Sequence, residues 1–345
     1  DVFVHSSCIN IPFAKDGDIL ITAANGSPRL VGKHAVINKL NGDKVVPGGF
    51  MILASSKEPY FLNSCMGAPW YKTFLKTGVA GGNGAIGNLN KHALEEYEFY
   101  TPSNKLERDG LASYFTSLDS QISASTSRLA SLKQMKAASL QAMFPQEGET
   151  VPKIRFKGFE GEWKKVKFSE LYERSSIKND LSFGTDKIIS VANMYFIKNS
   201  RQVDDDYLRS YNIMRLGDIA FEGNKSKNFA HGRLVENTIG DGIVSHVFIV
   251  MKPISKNYDL NFWKYYINNE NIMGNILVRS TKSSTMMTDL VVDDFLKESI
   301  LVPSYEEQIE IGKILTSLDR QISLQSQRLE KLKQIKSACL DKMFV

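Results

Sequence analysis

The chain carries two similar stretches, FTSLDSQISASTSRLASLKQMKAASLQAMF at residues 115–144 and LTSLDRQISLQSQRLEKLKQIKSACLDKMF at residues 315–344. Placed 200 residues apart, they are identical at 17 of 30 positions, which chance does not produce. Similarity at a fixed offset indicates a structural unit that occurs more than once. The sequence therefore predicts a fold built from two copies of one unit.

Apolar residues recur in both stretches with alternating spacings of four and three, apart from a polar position that Gln325 fills. They are Leu111, Phe115, Leu118, Ile122, Leu129, Leu132 and Met143 in the first copy and Ile311, Leu315, Leu318, Ile322, Leu329, Leu332 and Met343 in the second. This spacing marks the a and d positions of a coiled coil and predicts a long helix in each copy. Ser304 and Glu307 form a capping box at the start of the second helix. A helix of about 35–40 residues is roughly 55 Å long.

Weaker matches precede each helix at nearly the same offset. Gly17-Asp18-Ile19 matches Gly217-Asp218-Ile219, Gly32-Lys33 matches Gly232-Arg233, and LNKHALEEYEFYTPS at 89–103 aligns with LVVDDFLKESILVPS at 290–304. Between these points the two copies diverge. Each unit is therefore predicted to be a variable globular domain followed by a nearly constant helix.

The offset also sets the predicted boundaries. They are 1–103 for the first globular domain, 104–144 for the first helix, 151–303 for the second globular domain and 304–345 for the second helix. Because the second unit begins near Val151, about fifty of its residues have no counterpart before Asp1. The first domain is therefore expected to lack its N-terminal part.

Short apolar runs between turn residues predict strands at 19–21 and 50–53 in the first domain. In the second domain they predict strands at 187–192, 217–221 and 243–251, and a helix over 259–272. The predicted fold class is α+β, with two mixed α/β domains and two long helices.

Composition and motifs restrict the function. The net charge is +5, and 42% hydrophobic and 23% charged residues are ordinary values for a globular protein. No run of eighteen apolar residues predicts a membrane span. Cys8, Cys65 and Cys339 are odd in number and far apart, which predicts reduced thiols and a cytoplasmic location.

No catalytic constellation is recognisable. The chain has no P-loop and no G-x-S-x-G turn, and its five histidines lack metal-ligand spacing. The acidic run 204–206 is interpreted as a solvated turn. A protein that is not an enzyme and holds no metal is therefore predicted.

This arrangement resembles the specificity subunit of type I restriction-modification enzymes over essentially the whole chain. The resemblance is carried by the two TSLD-x-QI…RL…LKQ-x-K segments, the GDI turn before each glycine-basic loop, the PKIRFKGFEGEW run at 152–163 and the P-S-x-E-E-Q entry at 303–308. It implies two target recognition domains, each of which recognises one half of a split double-stranded DNA target. It also implies that the two long helices pair antiparallel as a coiled coil and set the gap between the halves.

The resemblance implies partners as well. The helices are expected to dock two methyltransferase subunits, which bind S-adenosylmethionine and methylate adenine, so this chain itself binds no cofactor. Restriction and translocase subunits join the complex, and no membrane partner is expected.

The variable domains are expected to contact DNA through loops, because Lys and Arg neutralise phosphates while Asn and Arg form bidentate contacts with bases. The predicted DNA-binding residues are Asn193, Asn224, Lys225, Lys227, Asn228, His231, Arg233, Arg279, Lys282 and Ser283 in the second domain, and Asn25, Ser27, Arg29, Lys33, Lys76 and Asn83 in the first. A solvated polar loop is the alternative interpretation. The basic cluster Lys153, Arg155, Lys157, Lys164, Lys165 and Lys167 is either a phosphate contact or plain surface.

The helices are expected to carry the partner contact. The predicted docking residues are Leu118, Ile122, Leu129, Leu132, Lys133, Leu318, Ile322, Leu329, Leu332 and Lys333, with Lys136 and Lys336 at the border. Solvated charge on a coiled coil is the alternative for each lysine. For the whole chain, the alternative is a coiled-coil scaffold whose globular domains bind protein rather than DNA.

Overall fold

The computed structural model describes residue 5 and residues 9–80, 87–198, 204–283 and 287–344. It divides into two compact units. Unit 1 comprises 1–129 and 324–345, and unit 2 comprises 130–323. Each of the two long helices therefore contributes one part to each unit.

Unit 1 is built around a small antiparallel sheet. In chain order its elements are β1 (Ile19–Thr22), β2 (Ala24–Asn25), a 3₁₀ turn (Pro28–Leu30), β3 (His34–Val36), β4 (Met51–Ala54), α1 (Pro59–Cys65), α2 (Pro69–Gly78), β5 (Val79–Ala80), β6 (Gly87–Leu89), α3 (Lys91–Glu95) and the first part of α4 (Lys105–Ala142). The described strands form sheets of order β3-β1-β4 and β2-β6-β5. Side chains alternate along β1, so Ile19 and Ile21 point into a core that α2 covers with Tyr71 and Phe74.

Unit 2 has a wider central sheet. In chain order its elements are the last part of α4, β7 (Lys164–Lys167), α5 (Phe168–Leu171), β8 (Tyr172–Ser175), a 3₁₀ turn (Thr185–Lys187), β9 (Ile189–Ser190), β10 (Tyr195–Phe196), α6 (Asp205–Arg209), β11 (Asn212–Met214), β12 (Ile219–Glu222), β13 (Arg233–Glu236), β14 (Gly242–Val244), β15 (Ile249–Pro253), α7 (Leu260–Tyr266), α8 (Glu270–Ser280), β16 (Thr281–Ser283), β17 (Thr288–Leu290), α9 (Val292–Lys297), β18 (Ser299–Val302) and the first part of α10 (Tyr305–Met343). The central sheet has the order β13-β12-β15-β8, and the pairs β18-β7, β11-β14, β9-β10 and β16-β17 accompany it. Aromatic side chains dominate its core, among them Trp163, Phe168, Tyr172 and Trp263.

In unit 1 the first part of α4 lies antiparallel to the last part of α10. Lys336 donates a hydrogen bond to the Asp119 carboxylate, and Gln325 Nε2 donates to the Ser125 carbonyl oxygen at 3.1 Å. Residue numbers thus rise along α4 as they fall along α10. Gln325 is the polar residue at an a/d position, and its buried amide is satisfied by this backbone contact.

Unit 2 repeats the ion pair with the two helices exchanged. Lys136 Nζ donates to Asp319 Oδ1 at 2.6 Å, and each of these residues lies 200 positions from its counterpart in unit 1. The helices are also anchored in the same way: Phe144 and Leu315 enter the core of unit 2, and Phe115 packs with Leu340 in unit 1. The predicted fold class, with two α/β domains and two long antiparallel helices, is confirmed.

Three local predictions are corrected. The helix predicted over 259–272 is two helices, because the Asn269 side chain accepts a hydrogen bond from the Asn271 amide and starts α8 as its N-cap. The strand predicted over 243–251 is interrupted by a turn in which Phe248 N donates to the Ser245 carbonyl. Met343, predicted at an a/d position, is exposed, while Phe344 packs on Phe115.

Candidate nucleic-acid interface

The GDI motif forms the same turn in both units. Gly17 and Gly217 have φ values of 93° and 88°, which favour glycine. Asp18 Oδ2 accepts from the Lys15 amide at 2.8 Å, and Asp218 Oδ2 accepts from the amide three residues before it at 2.7 Å. Burial raises the pKa of Asp218 to about 6. The turn fixes the start of the strand that leads to the candidate loop in each unit.

In unit 2 the candidate loop joins β12 to β13, and glycine is required at both of its ends. A Cβ on Gly223 would lie 2.1 Å from the Thr288 carbonyl oxygen, and one on Gly232, whose φ is 76°, would lie 2.6 Å from the Glu222 carbonyl oxygen. Thr288 N also donates to the Gly223 carbonyl at 2.8 Å. These close approaches hold the loop against β17.

The structure brings the three predicted DNA-binding segments of unit 2 together. Asn224 pairs with Met287 next to β17, so the loop adjoins the β16–β17 hairpin that carries Lys282 and Ser283. On its other side, Arg233 Nη2 donates to the Ala192 carbonyl oxygen at 2.7 Å, beside Asn193. We call six of the exposed residues in this region the loop surface. They are Asn193, Asn224, Lys227, Asn228, Lys282 and Ser283.

Two arginines predicted to bind DNA form hydrogen bonds and ion pairs with other residues of unit 2. Arg233 Nε donates to Glu222 Oε2 at 2.6 Å, and its guanidinium lies 4.9 Å from the Phe229 ring centre. Arg279 forms a bidentate ion pair with Glu298 at 2.9 and 2.7 Å. Arg233 therefore positions the loop, and base contact by either arginine stays a prediction. His231 is half-buried, and Lys225 is exposed in the same loop.

The candidate residues of unit 1 are grouped by its second sheet. Asn25 ends β2, which pairs with β6, and β6 pairs with β5 at the end of the helix that carries Lys76. The Ser27 amide donates to Asn25 Oδ1 at 2.9 Å, a local turn that begins the loop. Ser27, Arg29, Lys33 and Lys76 are exposed and Asn25 is half-buried, whereas Asn83 lies outside the described residues.

A cavity of about 750 Å³ borders the candidate loop of unit 2. Asn228 and Phe229 of the loop line it, together with Glu236, Lys264 and Tyr265. Burial lowers the pKa of Lys264. The sequence does not predict this cavity, because the polar run NNEN at 268–271 falls within the single helix predicted over 259–272.

Glu236 is a buried acid whose charge depends on pH within an accessible range. Burial raises its pKa to about 9, and its Oε2 accepts a hydrogen bond from Tyr258 at 3.0 Å. Its Oε1 has no hydrogen-bond partner in the part of the chain that the structure describes. The folded protein therefore keeps this proton at pH values where the unfolded chain, with a pKa of about 4.3, has lost it.

Replacing Glu236 by glutamine is expected to stabilise the protein increasingly as pH rises from 5 to 9. The native chain loses stability across this window because its folded state binds the extra proton, and at most about 1.4 kcal/mol is lost per pH unit. The neutral amide removes that loss. Unfolding in urea at pH 5, 7 and 9 measures the difference. The control is Glu173→Gln, which replaces an exposed glutamate that pairs with Lys252. The prediction is contradicted if the difference in free energy of unfolding between E236Q and the native chain stays constant with pH.

The predicted docking residues fall into three classes of exposure. Leu118, Leu132, Leu318 and Leu329 are buried, Ile122, Leu129, Ile322 and Leu332 are half-buried, and Lys133 and Lys333 are exposed. The four buried leucines are covered within the protein itself, so they are left out of the docking surface. Exposed apolar residues that the sequence did not single out remain on the helices, among them Met135, Ile314, Leu324 and Ile335.

The described residues hold no group of three or more His, Cys, Asp or Glu side chains with the geometry of a metal site. No described helix is long and apolar enough to span a membrane. Arg155, from the basic cluster, pairs with Glu307.

Comparison with known proteins gives a family and a fold. Residues 160–334, about half of the chain, match the family described as type I restriction modification DNA specificity domain. The structure of the S subunit of a type I restriction-modification system from M. genitalium is similar at 13% identity, with a TM-score of 0.60 over 97% of this chain and 84% of that one. This likeness shows a shared fold.

Two further solved structures are similar to this chain at lower TM-scores. The HsdS subunit from Thermoanaerobacter tengcongensis has 14% identity and a TM-score of 0.47, over 96% of this chain and 81% of that one. A chain from a study of complex assembly and conformational transition of the type I R-M system has 14% identity and a TM-score of 0.46, over 96% and 82%. A sequence comparison with curated proteins finds no significant match.

Proposed function

The chain belongs to the family of type I restriction-modification DNA specificity domains, and from this premise we propose that it recognises a double-stranded DNA target in two separate halves. Each unit contacts one half through its own loops. The observation that supports this most directly is that the same GDI turn and the same helix ion pair occur in both units, while the loops between them differ. Two units with the same turn and helix contacts but different loops can place two different DNA-contacting surfaces in the same way, as a target with two dissimilar halves requires.

The two long helices set the gap between the half-sites in this proposal. Two readers on one face of a duplex contact sites about 34 Å apart, one turn of DNA. The 38 residues of α4 correspond to a helix of about 57 Å. Such a helix, paired antiparallel with α10 within each unit, is long and stiff enough for that task.

The same helices dock two methyltransferase subunits. Met135 and Ile335 are exposed apolar residues at positions 200 apart, which offers one equivalent contact to each subunit. The methyltransferase subunits bind S-adenosylmethionine and move the target adenine out of the base stack. Restriction and translocase subunits join this core. The chain supplies position and sequence selection, and no catalytic group.

Mapping methylated adenines by single-molecule sequencing tests this function. The chain is expressed with its methyltransferase partner in a host that lacks both. We expect methylation at one split motif, with two specified parts and a fixed unspecified gap. A host that carries the methyltransferase alone is the control and should show no such motif. Methylation at a continuous motif, or the same motif without the chain, contradicts the proposal.

A further inference from the structure

The cavity of about 750 Å³ in unit 2 has the size of a ligand-binding site and adjoins the loop surface. Its lining includes residues of α4, of the β12–β13 loop, of β13 and of the stretch from α7 to α8, all of which lie within unit 2. Asn228 belongs both to this lining and to the loop surface. Cavities of about 300–1,000 Å³ that have a few convergent polar groups typically bind ligands. A molecule bound at the loop surface therefore lies next to this cavity.

Glu236 places a polar atom without a partner at the cavity. The residue is 2% exposed, and its Oε1 atom is buried with no hydrogen bond to any described residue. Leaving a buried polar atom unpaired is costly, because the atom has lost its contact with water. Lys264, also in the lining, is half-buried and forms no ion pair or hydrogen bond within the described ranges, while its Nζ atom lies 4.6 Å from the Tyr265 ring centre. Two polar groups of the lining are thus available to a ligand.

The hydrogen bonds of Glu236 determine what its unpaired atom offers. Tyr258 Oη donates to Glu236 Oε2 at 3.0 Å, and the hydroxyl oxygens of Tyr258 and Tyr172 lie 2.9 Å apart. Burial raises the pKa of Glu236 to about 9, so its carboxyl group is protonated at neutral pH. Because Oε2 accepts from Tyr258, the proton is placed on Oε1, and Glu236 offers an O–H donor. The matching atom of a ligand is a hydrogen-bond acceptor.

Unit 1 shows that the strand pairing does not require a carboxyl group at this position. Glu236 pairs with the first residue of β12, and Val36 pairs in the same register with the first residue of β1. The helices α7 and α1 correspond at an offset of 201, so Asn63 takes the place of Lys264. Neither Glu236 nor Lys264 is therefore shared by the two units. Such a difference suits residues that contact one half-site and not a partner common to both units.

DNA at the loop surface supplies acceptors of the required kind. Thymine and guanine carry carbonyl oxygens on their edges, whereas adenine does not. A base enters a cavity of this kind only when it is turned out of the base stack. The amides of Asn228 and Asn268 can serve the rest of the base edge, while Glu270 in the lining disfavours a phosphate. The cavity therefore suits a base rather than the DNA backbone.

We propose that this cavity binds one thymine or guanine of the half-site that unit 2 recognises, turned out of the base stack. Glu236 donates a hydrogen bond to a carbonyl oxygen of that base, and Lys264 supplies a second donor. The base is not the methylated adenine, which enters the methyltransferase subunit. This inference rests on the proposed function and adds a base contact that the loop surface alone does not provide. A free nucleotide has the same chemistry, so the experiment separates the two sources.

A cycle of protein and DNA substitutions tests this site. The complex assembled with the methyltransferase is titrated by fluorescence anisotropy with duplexes of the mapped motif, in which each thymine or guanine is replaced in turn by an abasic site. With the intact duplex, Glu236→Val is expected to weaken binding at least about tenfold, because one buried hydrogen bond to the base is lost. At one position, in one half of the motif, removal of the base should abolish the difference between the variant and the native protein. At every other position the difference should remain.

Three further variants separate the contact from the stability of the protein. Glu236→Gln keeps a donor, since its amide oxygen can accept from Tyr258 while its nitrogen donates to the base, and it should bind the duplex as the native protein does. Lys264→Met keeps most of the aliphatic side chain and should show coupling to the same base, and it replaces Glu236→Val in the cycle if that variant does not fold. Lys256→Met is the matched control, because Lys256 is exposed and lies outside the cavity, and it should show no coupling to any base.

Coupling at no position overturns the proposal, and so does an equal loss of affinity for Glu236→Gln and Glu236→Val. Thermal unfolding of the chain without DNA, with thymidine or guanosine monophosphate added, tests the other source. A rise in Tm that Glu236→Val abolishes, without coupling to any base of the duplex, overturns the proposal in favour of a free nucleotide. If the native complex does not bind the mapped duplex at all, the proposed function fails with it, which distinguishes that outcome from a failure of the cavity alone.

Discussion

Replacing Arg155 by alanine is expected to lower the free energy of unfolding by about 3–5 kcal/mol. Arg155 donates two parallel hydrogen bonds to the Glu307 carboxylate, each at 2.8 Å. Glu307 is only 1% exposed in the folded protein, so its carboxylate relies on Arg155 as its counter-ion. A buried charge that loses its partner costs far more than the ion pair itself contributes.

Arg279 offers a matched control, because it forms the same bidentate contact with Glu298 at the surface. The Arg279 side chain is 56% exposed, and exposed pairs contribute at most about 1 kcal/mol. Comparing the urea unfolding of the two alanine variants therefore separates the effect of burying the ion pair from the effect of its bidentate geometry. The double variant Arg155→Met with Glu307→Leu removes both charges and should recover most of the loss. A cost for Arg155→Ala no larger than that for Arg279→Ala would contradict the prediction.

The sequence predicted the parts of this fold that depend on local pattern. The a/d spacing around Leu118 and Leu318 located both helices, and the GDI turns are local because Gly217 and Asp218 act within four residues of chain. The β12–β13 loop was found because glycine and polar residues follow an apolar strand. In each case the responsible contacts lie close together in the sequence.

The features of the fold and the site that the sequence did not predict depend on tertiary contacts. Arg233 is predicted from the sequence to contact DNA, but in the structure it donates hydrogen bonds to Glu222 and to the Ala192 carbonyl oxygen. The first contact depends on the pairing register of β12 and β13, and the second joins residues 41 positions apart. The burial of Leu132 follows from the pairing of two helices, which a single stretch does not encode. The cavity beside Asn228 required the break between α7 and α8, where one asparagine cap overrides an otherwise continuous helical pattern.

The triple variant Asn224→Ala, Lys227→Ala and Asn228→Ala is expected to lower affinity for the target duplex by at least about 100-fold. All three side chains are exposed on the loop surface, where they are available to base edges and phosphates. Each good bidentate base contact is worth about 1–3 kcal/mol, and a factor of 100 corresponds to about 2.7 kcal/mol. Fluorescence anisotropy with the assembled methyltransferase complex and a duplex of the mapped motif measures the loss.

The three substitutions are expected to act through different physics, which the single variants separate. Lys227→Ala should weaken binding to every sequence about equally and reduce the slope of affinity against salt by about one, as for a phosphate contact. Asn224→Ala and Asn228→Ala should instead relax the choice of base in one half of the motif. An asparagine variant that changes only the salt slope would assign that residue to the backbone of the DNA.

The control for the triple variant replaces a lysine and an asparagine at the opposite end of the central sheet. Lys256 and Asn257 are exposed after β15, which runs antiparallel to β12, so they lie at the GDI end of the sheet rather than at the loop end. Their double alanine variant should leave affinity within about twofold, since distant surface lysines contribute little through a screened solvent. If the control loses as much affinity as the triple variant, charge and not the loop surface governs binding. If the triple variant keeps full affinity and base choice, DNA contacts unit 2 elsewhere, and the cavity wall around Lys264 is the next surface to test.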